Sequence, residues 1–182
     1  MLRNLALIFA LAAGPALAAG IAIDVEGEAS GTITIELNEA AAPQHAARIL
    51  ELAREGAYDG VVFHRVIDGF MAQTGDVQFG HAGGDLSAAG MGGSALPDLP
   101  AEFSDIPFTR GVVGMARSQS PDSANSQFFI MFADAPHLNG QYTVVGEVTS
   151  GLEVLDAIKR GDSRSGAVSG TPDVMAQVRV VD

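Results

Sequence analysis

The sequence predicts a mainly β domain with about eight short strands and two helices. Three observations support this. Apolar residues alternate with small or polar ones in short runs between Ile21 and Val181. Turn signals rich in glycine, such as Gly27 to Gly31 and Asp68-Gly69, separate those runs. Helical spacing of apolar residues occurs in two places, once in each half of the chain. Antiparallel strands with turn signals suggest a barrel, which removes exposed edges, although periodicity alone does not separate a barrel from a sandwich. At 182 residues, one domain with a sizeable core is expected, and no internal repeat is visible.

The first residues stand apart. Arg3 supplies a positive start, Leu5 to Ala13 an apolar run and Ala16-Leu17-Ala18 an A-x-A cleavage site. The run falls short of the roughly 20 residues that span a bilayer, so residues 1–18 are expected to be a signal peptide cut after Ala18 or Ala19. Residues 19–182 would then be an exported domain, periplasmic where the host envelope retains it. With no cysteine there is no lipid attachment through a lipobox and no disulfide framework, which is compatible with an oxidising compartment.

Ile21 to Val25 and Thr32 to Leu37 read as half-buried strands. Pro43 suits the first turn of a helix, and Ala46, Ile49, Leu50 and Ala53 share one face before Gly56 ends it. His45, near the start of that helix, is expected to face solvent. Val61 to Ile67 is β-branched and aromatic enough for a strand, Asp68-Gly69 signals a two-residue hairpin, and Phe70 to Thr74 reads as the returning strand. Such a hairpin lays Arg65 near Gln73, beside Phe70 and Met71, so that a cation, an amide and an apolar floor share one surface. The alternative for Arg65 is a surface strand residue paired with an acid. Phe79 to Thr109 is a long irregular stretch, and loops of that length in a compact domain are usually functional or mobile. Strands resume at Gly111 to Met115, Gln127 to Met131 and Val144 to Val148. Leu152, Leu155 and Ile158 give a short helix closed by Gly161, and Val174 to Val181 could pair with an early strand.

The stretch Val61 to Asp76, VVFHRVIDGFMAQTGD, resembles the signature of the cyclophilins, the peptidyl-prolyl cis-trans isomerases. A second block, Gly114-Met115-Ala116-Arg117-Ser118 through Asn125-Ser126-Gln127-Phe128-Phe129-Ile130, resembles the family's other signature, and its spacing is closer to bacterial members. Gly83-Gly84 and Leu99-Pro100-Ala101-Glu102-Phe103 are similar to the corresponding loops. The resemblance implies a closed eight-stranded antiparallel barrel with a helix capping each end. It also implies isomerisation of Xaa-Pro bonds in proline-containing segments and unfolded exported proteins, by a monomer with no cofactor. Arg65, Gln73 and Phe70 are the expected catalytic residues. Phe70, Met71, Phe129 and Leu138 would form the proline pocket. Gln127 would support Arg65 or the peptide, and the Ala116-Arg117 edge would pair with the residue before proline. Small Ala116 and Ser118 leave that residue space. His137 lies where many eukaryotic members carry tryptophan, Arg117 where they carry asparagine, and Tyr142 where they carry a histidine of the pocket rim. Weak cyclosporin binding is therefore expected.

The residues themselves argue against other chemistries. His45, His64, His81 and His137 lie far apart with no H-E-x-x-H, so no zinc site is expected. No G-x-S-x-G frames a serine, no phosphate-binding G-x-x-x-x-G-K-[ST] occurs, and nothing in the spacing of the acids selects a glycosidase pair. His64 is expected to be a satisfied structural histidine. A formal net charge of -12 argues against nucleic acid or an anionic membrane as partner. Two other classes remain open: a binding module for proline-containing segments without turnover, and an exported hydrolase.

Overall fold

A computed structural model describes residues 19–182, and the proposed signal segment lies outside the described residues. The period-two runs become nine strands of one sheet. In chain order they are β1 (Gly20–Glu26), β2 (Gly31–Leu37), β3 (Val61–Val62), β4 (Arg65–Ile67), β5 (Met71–Thr74), β6 (Val112–Met115), β7 (Phe128–Met131), β8 (Val144–Ser150) and β9 (Val174–Val181). All the pairings are antiparallel, in the order β3-β9-β1-β2-β8-β6-β7-β5-β4. The last strand does pair with the first, as the alternation of Val174 to Val181 suggested.

The expected closed eight-stranded barrel is corrected to an open, curled sheet of nine strands. The predicted single strand Val61 to Ile67 breaks at Phe63-His64, and its halves pair at opposite ends of the sheet. Val61 and Val62 join β9, while Arg65 to Ile67 join β5. One run of chain thus forms both rims, and no ladder joins β3 to β4. Loops cover the rims instead. Val62 N–H donates to the Gly80 carbonyl, Val66 N–H to the Gly166 carbonyl and Gly161 N–H to the Val66 carbonyl, which satisfies backbone groups that an edge leaves open.

The two helices are α1 (Pro43–Arg54) and α2 (Leu152–Ala157). Pro43 opens α1 and Gly56 follows its end with φ of +69°, as the spacing predicts. Ala46, Ile49, Leu50 and Ala53 join the interior core, and so do Val154 and Leu155 of α2. Helix α2 stops before Ile158, which leaves the helical conformation with ψ of 132°, so Gly161 does not close it. His45 is fully buried rather than solvent-facing, because its Nδ1 lies 2.6 Å from Glu102 Oε2 of the long irregular stretch. That stretch holds one short 3₁₀ turn, Leu86–Ala88, and is fastened to its surroundings by side chains. Arg48 donates to the Pro97 carbonyl, Asn125 to the Leu96 carbonyl, and the Ala101 N–H to Asp122.

Strand alternation divides the apolar residues into two layers. Val66, Ala72, Met115, Phe128 and Ile130 point into the interior, where Phe63 also sits. Met71, Phe129, Met131 and Val112 point to the other face and pack with Phe108, Ala135 and Leu138 into a smaller outer core. The sheet buries side chains on both faces here, and the outer layer is the floor of the site.

Candidate active site

Residues at period two share a face, so the hairpin register decides what meets. Arg65 stands opposite Gln73, Ile67 opposite Met71, and Gln73 opposite Phe129 on the next strand. All point to the outer face, while Val66, Ala72 and Phe128 between them point inward. The connection is one residue longer than predicted. Ile67 and Met71 are the last paired residues, and Phe70 N–H closes the turn on the Ile67 carbonyl at 3.0 Å. Gly69 supplies the φ of +66° that this turn needs. Phe70 therefore sits in the loop, half-buried at the rim, and is not part of the returning strand.

Arg65, Phe70, Met71, Gln73, Ala116, Arg117, Phe129, Leu138 and Tyr142 line one notch of about 190 Å³. Ser118 and Gln127 line a larger neighbouring cleft of about 500 Å³, which shares Gln73, Ala116 and Arg117 with the notch. His137 lines neither cleft. Its ring stacks on Phe70, 5.6 Å between centroids, and supports the rim from outside.

The floor is aromatic and aliphatic. Phe129 stacks on Phe108 at 5.8 Å and meets the edge of Tyr142 at 5.8 Å. Phe108 went unrecognised in the sequence because it lies near the end of the long irregular stretch, where no period marks it. Gly114 makes this packing possible. It faces Phe129 across the strands, and a Cβ there would lie 2.5 Å from the Phe129 ring and 2.6 Å from Phe108.

Arg65 carries the polar side. Its Nε donates to the Ser165 carbonyl at 3.0 Å and its Nη1 to Gln73 Oε1 at 3.2 Å. Gln73 Nε2 donates in turn to Gln127 Oε1 at 2.9 Å, so Gln127 supports the arginine through Gln73. Among the described residues Arg65 forms no ion pair with a carboxylate, and its Nη2 has no hydrogen-bond partner. It is not the acid-paired surface residue of the alternative reading. Next to it His64 is buried, and burial lowers its pKa, with Asp76 opposing and Arg65 reinforcing the shift. Neither ring nitrogen finds a hydrogen-bond partner, so the expectation of a satisfied histidine is corrected.

On the opposite wall the Arg117 guanidinium lies 4.4 Å over the Tyr142 ring and donates to the Ser118 and Gln141 carbonyls. Ala116 N–H is taken by the Gln127 carbonyl, whereas the Arg117 backbone N–H and C=O have no partner among the described residues. Among those residues no group of three or more acids and histidines could hold a metal ion. The arrangement offers an apolar notch for a small rigid ring, a fixed cation above it, and an open backbone edge beside it. It holds no base or nucleophile poised for bond cleavage.

Comparison with known proteins agrees with this geometry. Residues 22–181 match the family model described as cyclophilin-type peptidyl-prolyl cis-trans isomerase/CLD. A probable peptidyl-prolyl cis-trans isomerase of Brucella suis is 58% identical over 152 residues, covering 82% of this chain and 78% of that protein. A peptidyl-prolyl cis-trans isomerase of Helicobacter pylori is 43% identical over 136 residues, covering 72% of this chain and 77% of its own. Among solved structures, a Cryptosporidium parvum cyclophilin-type isomerase, crystallised in the presence of the dipeptide Ala-Pro, superimposes with a TM-score of 0.74 at 25% identity. It covers 90% of this chain and 99% of its own. The chain belongs to the cyclophilin-type peptidyl-prolyl cis-trans isomerases.

Proposed function

We propose that this protein turns Xaa-Pro bonds of exported polypeptides by seating the proline on Met71, Phe129 and Leu138 and aiming the Arg65 guanidinium at the bond ahead of it. The barrier to be lowered is ~18–20 kcal/mol, because rotation breaks amide resonance. As conjugation is lost the imide nitrogen pyramidalises and gains a lone pair. A donor aimed there binds the twisted state better than either planar one. The observation that supports Arg65 in this role is its spare Nη2 donor in a guanidinium held by Ser165 and Gln73 but unpaired with any carboxylate among the described residues. Arginine stays protonated at any working pH, so the donor is permanent.

One charge-assisted hydrogen bond contributes about 1.5–3 kcal/mol, or one to two orders of magnitude in rate. Desolvation of the imide by Phe70, Phe129 and Leu138, and pairing of the preceding residue with the Arg117 backbone edge, supply the remainder in this reading. Arg65→Ala is expected to lower kcat/KM on a Xaa-Pro tetrapeptide by about ten- to a hundredfold while the circular dichroism spectrum stays that of the parent. Unchanged turnover would remove Arg65 from the mechanism.

Export rests on the sequence pattern of residues 1–18. Cell fractionation with N-terminal sequencing tests it. A periplasmic product beginning at Ala19 or Gly20 is expected, and an uncut chain in the cytoplasm would overturn that address.

A further inference from the structure

Arg65 does not fix its own direction. Its Nη1 leans on Gln73 Oε1 at 3.2 Å, Gln73 Nε2 on Gln127 Oε1 at 2.9 Å, and Gln127 Nε2 donates to the Gly92 carbonyl at 2.8 Å. At Gly92 the chain of hydrogen bonds leaves the sheet and enters the long stretch whose one regular element is the 3₁₀ turn Leu86–Ala88. A carbonyl in an untethered loop could not orient anything. This one is tethered. Asp76, fully buried two residues beyond the end of β5, accepts from Gly90 N–H at 2.7 Å and Gly92 N–H at 3.0 Å through Oδ2. Its Oδ1 accepts from Gln78 N–H at 3.1 Å and Phe79 N–H at 2.9 Å.

The carboxylate is built for this task. Burial pushes its pKa up, but the amides of Phe79, Gly92, Gly90 and Gln78 outweigh burial and hold it below the usual carboxylate range. It pairs with no lysine or arginine among the described residues, so its charge is spent on backbone donors. The seat is also tight, since a Cβ at Gly92 would come 2.5 Å from Asp76 Oδ1.

We propose that Asp76 is a positioning residue for the isomerase reaction. By seating Gly92 it fixes the carbonyl that orients Gln127, and through Gln127 and Gln73 it sets where the Arg65 guanidinium points. This rests on the reading of Arg65 as the donor to the twisted bond. The competing role for Asp76 is stapling of the loop alone, which would affect stability without reaching the arginine.

A double-mutant cycle separates the two. In Asp76→Asn an amide NH₂ faces backbone N–H groups and one pair of donors is orphaned. The expected result is kcat/KM about tenfold lower on a Xaa-Pro tetrapeptide, with the loss in kcat. Asp76→Asn in a Gln127→Ala background is expected to cost nothing further, because both break the same relay. Asp173→Asn is the control. Asp173 is another buried carboxylate that accepts backbone N–H groups, from Ala29 and Lys159, and lines neither cleft. It should lower Tm and leave kcat/KM unchanged. Should Asp76→Asn not fold, Gly92→Ala replaces it in the cycle, since the added methyl lifts Gly92 off Asp76. Losses that add in the double variant, or a wild-type kcat/KM in Asp76→Asn, overturn the proposal. Arg65→Ala is measured alongside. If that variant retains turnover, the donor reading fails. If it loses turnover while Asp76→Asn does not, only the relay fails.

Discussion

At the scale of single residues, the site depends on atoms that are absent as much as on those present. Gly114 has no Cβ where one would lie 2.5 Å from the Phe129 ring, and that ring is held from two sides by Phe108 and Tyr142. The ring cannot retreat without disturbing both neighbours. Gly114→Ala is therefore expected to cost about 1–3 kcal/mol of stability through overpacking. It should also lower kcat/KM, because Phe129 can move only toward the notch it floors. Urea unfolding and the tetrapeptide assay check the two effects separately, and normal values in both would show that the aromatic layer yields more easily than its packing implies. Arg65 shows the converse. Its guanidinium donates to a carbonyl and an amide oxygen and, among the described residues, forms no ion pair with a carboxylate, so its charge is oriented without being neutralised.

At the scale of elements, the long stretch between β5 and β6 acts as a helix cap from afar. Ala42 precedes α1 and offers no side-chain cap, so the first amides of the helix have no local partner. Glu102 fills the gap from 58 residues away, accepting from Gln44 N–H at 3.1 Å and His45 N–H at 3.2 Å, with the His45 ring 2.6 Å distant. Burial raises the Glu102 pKa, but the His45 ring and the Gln44 and His45 amides outweigh it and leave the pKa below its ordinary value of 4.5. A carboxylate with a depressed pKa stabilises the fold above its unfolded pKa and stops doing so as pH falls through the folded value. Glu102→Gln is expected to lower Tm by about 2–4 °C at pH 7, the equivalent of about 1 kcal/mol. That difference should shrink as pH drops below 4.5, the ordinary value. Melting curves at pH 7 and pH 3 check this, and equal Tm values at pH 7 would rule out the cap. The same geometry explains why His45 could not be placed from sequence. Helical spacing puts it near the solvent side, and its burial comes from a loop 57 residues on.

At the scale of the molecule, local pattern and long-range pairing divided what could be read in advance. Both helices, the strands other than β3 and β4, and the nearness of Arg65 to Gln73 follow from local period. The pairing of Arg65 with Gln73 itself depends on the one residue by which the turn exceeds its prediction. The split of Val61 to Ile67 does not follow locally, because both halves are equally β-branched and only their distant partners, β9 and β5, distinguish them. The notch residues from Arg65 to Phe129 were legible through two motifs of characteristic spacing, and Leu138 and Tyr142 through the family resemblance beyond them. Phe108 and Asp76 were not, since their roles arise from contacts with Phe129 and Gly92 that no spacing encodes.

The covered rims carry a consequence for a protein whose substrates are extended chains. Such chains are sticky, and a bare sheet margin would invite them to add strands and template aggregates. Here Gly80, Gly161 and Gly166 occupy those margins, while the Arg117 backbone groups beside the notch have no partner among the described residues. Under the proposed function, a passing polypeptide would find no open margin to join and one open edge beside the notch, where its proline can be turned and then let go.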